Sequence, residues 1–209
     1  WGWTLSVALL ALVVALAVGS LMGILRTAPD RRLVFIGEAW TELFRNIPLL
    51  VQIFLWYHVI PSIFLTLRGV PSFVLVVFAL GFFTSARISE QVKAGIQALP
   101  KGQRYAGLAM GFTLPQTYRY VLLPMAFRIV IPPLTSESMN IVKNSSVAFA
   151  VSIAELTMFA MQAQEETSRG VEIYLAVTAL YFISAFAINR IALFIEQRVQ
   201  VPGMIGGGK

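Results

Sequence analysis

Apolar residues run almost unbroken along this chain, and its polar positions come as short islands between them. A membrane-crossing helix needs about 20 consecutive apolar residues. Residues 3–25 supply one, with Trp1 and Trp3 suited to the aromatic belt at the membrane interface. Arg26, Asp30, Arg31 and Arg32 mark a polar turn. Residues 33–44 then predict an amphipathic helix lying on the membrane surface, ending at Arg45 and Asn46, with Glu38 and Glu42 one turn apart on its solvated face. A second span is predicted from residue 47 to about 59, with Pro48 in its first turn and a stop around Pro61. The third runs from residue 73 to about 94 and carries Arg87 and Glu90 inside it. Residues 95–119 turn polar and read as two short helical pieces parted near Gly111 and Pro115. A fourth span covers 122 to about 150, interrupted at Pro132 and Pro133. Residues 155–172 read as a loop with some short helix, and 173–195 as the fifth span. The predicted fold is all-α: one polytopic transmembrane domain, residues 1–209, with about five spans.

Composition narrows the class. Of the 209 residues, 57% are hydrophobic and only 12% charged, where an average globular chain has about a quarter charged. A soluble domain of this length cannot hide so much apolar surface, whereas lipid accepts it without penalty. The formal charge of +6 does not point to nucleic acid, because the basic residues stand singly between apolar stretches and form no stripe. They sort instead by connection. The first has Arg26, Arg31, Arg32 and Arg45; the region around the third has Lys93, Lys101, Arg104, Arg119 and Arg128; the end has Arg190, Arg198 and Lys209. The second has only Arg68, and the fourth sets Arg169 against Glu155, Glu165, Glu166 and Glu172. Alternate connections are therefore basic, which places the N-terminus outside and the C-terminus in the cytosol. With no cysteine and the single histidine His58, neither disulfides nor a two-histidine zinc site can be built. His58, beside Trp56 and Tyr57, reads as an interfacial side chain. The first apolar stretch lacks a basic leader and does not read as a cleavable signal.

One connection is too long to be only a link. About 25 residues follow the third span, where helices in bundles are joined by a handful. Within it come Gln103, then Tyr105-Ala106-Gly107-Leu108-Ala109-Met110-Gly111, then nine residues, then Val121-Leu122-Leu123-Pro124. This closely resembles the EAA loop of ABC importer permeases: E-A-A, three residues, G, nine residues, I-x-L-P. Tyr105 stands where that pattern has glutamate, and Gly107 where it has the second alanine. The stretches Phe44-Arg45-Asn46-Ile47-Pro48, Ile131-Pro132-Pro133-Leu134 and Asn140-Ile141-Val142-Lys143-Asn144-Ser145-Ser146 resemble polar-amino-acid importer permeases. Ala109-Met110-Gly111 and Thr113-Leu114-Pro115-Gln116 are most similar to the glutamate/aspartate branch. The resemblance implies a type I ABC importer permease of the bacterial inner membrane, carrying glutamate or aspartate inward; the alternative is another polar amino acid, neutral or basic. It implies no cofactor of its own, ATP being bound by a cytosolic ABC ATPase dimer. It also implies a second permease subunit, most naturally a different chain, and an extracytoplasmic amino-acid-binding protein. Residues 95–124 would form the coupling loop, with Gln103, Tyr105, Ala106, Gly107, Gly111, Leu123 and Pro124 meeting the ATPase or shaping the contact. A glycine permits the sharp turn between two short helices, and a proline can open the next span without losing a helical hydrogen bond.

Ionisable groups at membrane depth are costly, so each is a functional candidate. Arg87 lies about 21 Å along its span from residue 73. In the fourth span Ser136, Glu137, Asn140, Lys143 and Asn144 recur at helical spacings and predict one polar stripe. An acidic amino acid carries two carboxylates and one ammonium. Arg87 offers a planar fork for a carboxylate and Glu137 a host for the ammonium, with Ser136, Asn140 and Lys143 as further candidates. Two alternatives stay open: Arg87 can pair with Glu90 one turn away, and Lys143 can reach to the interface instead of holding substrate. The tail from Gly203 to Lys209 fits the opening of a phosphate-binding loop but lacks the next Ser/Thr and a preceding strand, so no nucleotide site is expected there. Nor does the chain hold a nucleophile and base in any recognisable arrangement; it is not expected to be an enzyme. A self-sufficient secondary transporter would show inverted repeats, and five spans with one elbow do not divide that way.

Overall fold

The computed structural model describes residues 1–199, for Val199 the backbone alone, so the glycine-rich tail lies outside the described residues. Helix α1 spans Gly2–Leu25 and α5 spans Ser72–Gln97. They lie side by side along most of their length because Gly19 and Gly23 admit Ile88 and Val92, the small-residue packing that lets helices approach inside a membrane. Their shared seam, with Val7, Ala11, Ala15, Val76, Leu80 and Ile88, is the buried core.

Between them α2 covers Arg31–Asn46, opened by Asp30, whose carboxylate accepts from the Arg32 N–H at 2.8 Å. Only part of this helix is a solvated face. Lys93 of α5 donates to Glu38 at 3.3 Å, Trp40 to Ser85 at 3.0 Å and Arg45 to Glu90 at 3.3 Å. Glu42 is exposed as expected, bonded by Arg45 and Asn46 at 2.7 and 2.9 Å.

Next, α3 (Leu49–Phe54) passes through a π turn, Leu55–Val59, into α4 (Ile60–Ile63). The same device recurs where α7 (Leu114–Thr117) passes through the π turn Tyr118–Leu122 into α8 (Leu123–Asn144). In both, a proline stands two residues after the turn: Pro61 and Pro124. A proline has no N–H to give, and the wider turn lets the residue before it donate five residues back, Ile60 to Leu55 and Leu123 to Tyr118. The second helix therefore continues past Pro61 to Ile63, and Pro124 lies within a helix already begun at Leu114.

Pro132 and Pro133 do not interrupt the fourth span. Helix α8 is continuous through them. The pair removes two backbone donors, but buried Ala126 and Val130 on one side and Ile141 and Val142 on the other hold the helix in the core. A 3₁₀ stretch, Ser145–Val151, follows. Residues 156–167, expected to be largely loop, form α9 (Leu156–Thr167), and α10 (Gly170–Val199) is the last element among the described residues. Glu155, counted among the charges of the fourth connection, is fully buried: it caps α9, accepting from the N–H groups of Thr157 and Met158 and, at 2.6 Å, from the Tyr181 hydroxyl. Among the described residues three helices, α1, α5 and α10, are long and apolar enough alone to cross a membrane; the count reaches five if each of two bent pairs is one span.

Candidate functional site

Two features of α5 and α8 hold the candidates named from the sequence, a charged pair between the helices and the elbow that joins them.

The pair is Arg87 and Glu137. Residues 84–89 of α5 pack against α1 and α2, leaving Arg87 on the opposite side, where its guanidinium lies over the Phe83 ring at 5.2 Å. Its Nη1 stands 3.9 Å from a carboxylate oxygen of Glu137, and the side chains are 46% and 10% exposed respectively. That separation is an ion-pair distance but too long for a hydrogen bond. Gln91, one turn beyond Arg87, donates to the other Glu137 oxygen at 3.3 Å. The carboxylate is thus tucked between helices, while the guanidinium donates no hydrogen bond among the described residues. Glu90 does not compete for Arg87: it accepts from Arg26 at 3.0 Å and Arg45 at 3.3 Å.

The predicted polar stripe divides. Glu137 is buried toward α5, with Asn140 and Asn144 half-buried on the same side, whereas Ser136 and Lys143 are exposed on the adjacent side. The structure therefore brings Arg87, Glu137 and Asn140 to one region and leaves Ser136 and Lys143 at its edge. Gln91 was missed in the sequence, although its position four residues after Arg87 puts it on the same helical face. The Arg26–Glu90–Arg45 cluster was missed too, because nothing local connects residues so far apart in the chain. It extends to Ser89, which takes an Arg26 donor at 3.3 Å and shares a hydrogen bond with Thr41 at 2.9 Å.

The elbow follows α5. Helix α6 (Lys101–Ala109) ends in Gly111, whose φ of +85° is the left-handed conformation that closes a helix. The Gly111 N–H donates to Leu108 and that of Phe112 to Gly107, at 3.0 and 3.2 Å. The Thr113 N–H then donates to the Gln116 side chain at 2.8 Å, starting α7. Gly107 faces Thr117: a Cβ there would stand 2.7 Å from the Thr117 methyl. The glycine that replaces alanine in the motif is therefore what lets α6 and α7 close on each other. Tyr105, Ala106, Leu108 and Met110 are exposed, a largely apolar outer face on the elbow, and Pro124 is exposed where α8 begins. Gln103 holds a buried amide oxygen with no hydrogen-bond partner among the described residues.

Known proteins resemble this chain along nearly its whole length. The family described as "Binding-protein-dependent transport system inner membrane component" matches residues 6–201. The chain is 41% identical over 222 residues to the glutamate/aspartate import permease protein GltJ of Escherichia coli strain K12, covering 99% of this chain and 90% of that protein. It is 35% identical over 196 residues to the probable glutamine ABC transporter permease protein GlnM of Bacillus subtilis strain 168, covering 92% and 89%. Among solved structures, the "Crystal structure of an amino acid ABC transporter with histidines" superposes with a TM-score of 0.79 at 29% identity, over 93% of this chain and 90% of that one. Matched along nearly its whole length by the family model and by a relative 41% identical to it, this chain belongs to the family of binding-protein-dependent transport system inner membrane components.

Proposed function

We propose that this permease carries acidic amino acids, glutamate or aspartate, into the cytoplasm. The observation that carries the reading is the Arg87–Glu137 pair, held at 3.9 Å with the guanidinium nearly half exposed. A substrate carboxylate can take the free donors of Arg87, and the substrate ammonium can take Glu137, without breaking a strong internal bond. With Lys143 counted as a second cation beside Arg87 and Glu137, the hosts carry a net charge of +1, which suits a ligand of net charge −1. The similarity to the glutamate/aspartate permease supports the same choice. A second reading, transport of a neutral polar amino acid, draws on the relative named as a glutamine permease.

In this reading the chain does not hydrolyse ATP. Its elbow docks on a cytosolic ABC ATPase dimer through Tyr105, Ala106 and the flank of Gln103, with Gly107 and Gly111 setting its shape and Leu123 and Pro124 passing motion into α8. A second permease subunit completes the pore, an extracytoplasmic binding protein delivers substrate, the N-terminus lies outside and the C-terminus in the cytosol. Ser136, Asn140 and Lys143 line the path beside the pair.

Reconstitution with the partner ATPase and binding protein tests this directly. The expected result is ATP-dependent aspartate accumulation that excess glutamate competes and arginine does not. Accumulation of glutamine with indifference to aspartate would establish the second reading, and accumulation of no amino acid would overturn both.

A further inference from the structure

Beneath the elbow, between α6 and the ends of α1 and α5, lies a cavity of about 290 Å³. Its lining brings together Arg26 from the end of α1, Lys101 and Arg104 from α6, and Tyr118 from the π turn, over an apolar floor that includes Ile96 and Leu122. No aspartate or glutamate is among the described lining residues. Arg26 is the unusual member. Its side chain is only 6% exposed, two of its nitrogens are committed to Ser89 and Glu90, and its Nε is buried with no hydrogen-bond partner among the described residues. An unpaired donor buried in this way costs free energy unless something accepts from it.

We propose that this cavity binds a phosphate group, carried either by an anionic lipid headgroup or by a free phosphate compound. Lys101 and Arg104, which pair with no carboxylate among the described residues, match a group bearing up to two negative charges, and Arg26, whose charge is met by Glu90, adds its idle Nε donor for one of the acceptor oxygens. The arginines supply planar forks and Lys101 a mobile point charge, the usual division of labour around phosphate. An amino acid fits poorly, because its ammonium would find no acidic host. The site is separate from the Arg87–Glu137 pair and nothing in the transport reading uses it. Its consequence is mechanical: a phosphate held by Arg26 on one side and by Lys101 and Arg104 on the other ties the elbow to the ends of α1 and α5. Occupancy would then set how freely α6 moves with the ATPase.

The test uses the intact transporter in nanodiscs, comparing the native chain with Lys101→Gln/Arg104→Gln and with the charge-preserving Lys101→Arg/Arg104→Lys. One arm measures binding of labelled phosphatidylglycerol in a phosphatidylcholine background; the other measures binding of labelled inorganic phosphate in phosphatidylcholine alone. At least one probe should saturate the native complex, bind roughly tenfold more weakly to the glutamine variant, and bind the charge-preserving variant within about threefold of native, as loss of charge-assisted hydrogen bonds requires. The arm that responds identifies the source. If the double glutamine variant does not assemble, Lys101→Gln alone makes the comparison, since that side chain is exposed. Saturation by neither probe, equal binding to the glutamine variant, or competitive displacement by aspartate would each overturn the proposal.

Discussion

Glu90 and Arg87 share one turn of α5, yet Glu90 receives two guanidinium groups, at 3.0 and 3.3 Å, while Arg87 meets its carboxylate partner only at 3.9 Å. The cluster around Glu90 joins α1, α2 and α5, and its buried Ser89 and Thr41 bond each other as well. Every element of that corner is fastened to the next. The pair around Arg87 joins α5 to α8 alone, with one long contact and one hydrogen bond from Gln91 at 3.3 Å. Charges that are fully engaged hold a fold together, whereas charges left with spare hydrogen-bonding capacity are available to a ligand. The contrast fits the first cluster to architecture and supports the transport role proposed for the second.

Arg87→Gln gives the largest effect expected of that contrast. The side chain keeps its stem and a polar tip but loses the charge, so a substrate carboxylate loses its fork. ATP-dependent aspartate uptake should fall about a hundredfold, the scale of losing one partner of a charged hydrogen-bonded pair. The melting temperature of the purified complex should fall less than for Glu90→Gln, since Arg87 stands 3.9 Å from Glu137 and that carboxylate keeps its hydrogen bond from Gln91. Unchanged uptake would remove Arg87 from the site, and a collapse of the complex would make the pair architectural like its neighbour.

Glu90→Gln should do the reverse. It leaves the Arg26 guanidinium, 6% exposed, without its counter-charge, and isolating a buried ion costs about 3 kcal/mol. Melting temperature and yield should drop clearly, while uptake per assembled complex changes little. A variant as stable as the native chain would show that Arg26 is satisfied by water, and would erase the difference between the two clusters.

What the sequence revealed followed from how local each requirement is. Gly111 was legible because one position in a helix–turn–helix must take a positive φ, and its spacing to Leu123 and Pro124 is fixed by the two short helices around it. The spans were legible because lipid demands long apolar runs. The π turns before Pro61 and Pro124 were not, since a shift of one residue in helical register leaves no trace in composition. Pro132 and Pro133 misled for a related reason: proline reports a missing donor, but whether the helix breaks depends on what packs against it. Glu155 had the same problem, as only the Tyr181 hydroxyl and the end of α9 make burial of that carboxylate tolerable. For Arg87 the sequence offered Glu90 as its internal partner, and the pairing with Glu137 was not foreseen. The outcome was decided by Arg26, 64 residues from Glu90, a separation that periodicity cannot bridge. The residues at membrane depth could be named as candidates, but their pairing belongs to the tertiary structure.

The finest distinction lies inside the architectural cluster, between its charges and its aromatic edge. Trp40 donates to Ser85 at 3.0 Å and packs against Phe44 and Phe82 with ring centroids 4.4 and 4.9 Å away. Trp40→Phe removes the donor and part of the ring but keeps an aromatic face in the same place. Ser85 retains its own bond to the Phe82 carbonyl at 2.7 Å, so no hydroxyl is left idle. The loss should be about 1 kcal/mol, one neutral hydrogen bond, with uptake unaltered. Measured on the same melting assay, it should fall well below the effect of Glu90→Gln. If the two effects are equal, α2 is held to α5 by ring packing as much as by charge, and the guanidinium clamp on Glu90 loses its special standing.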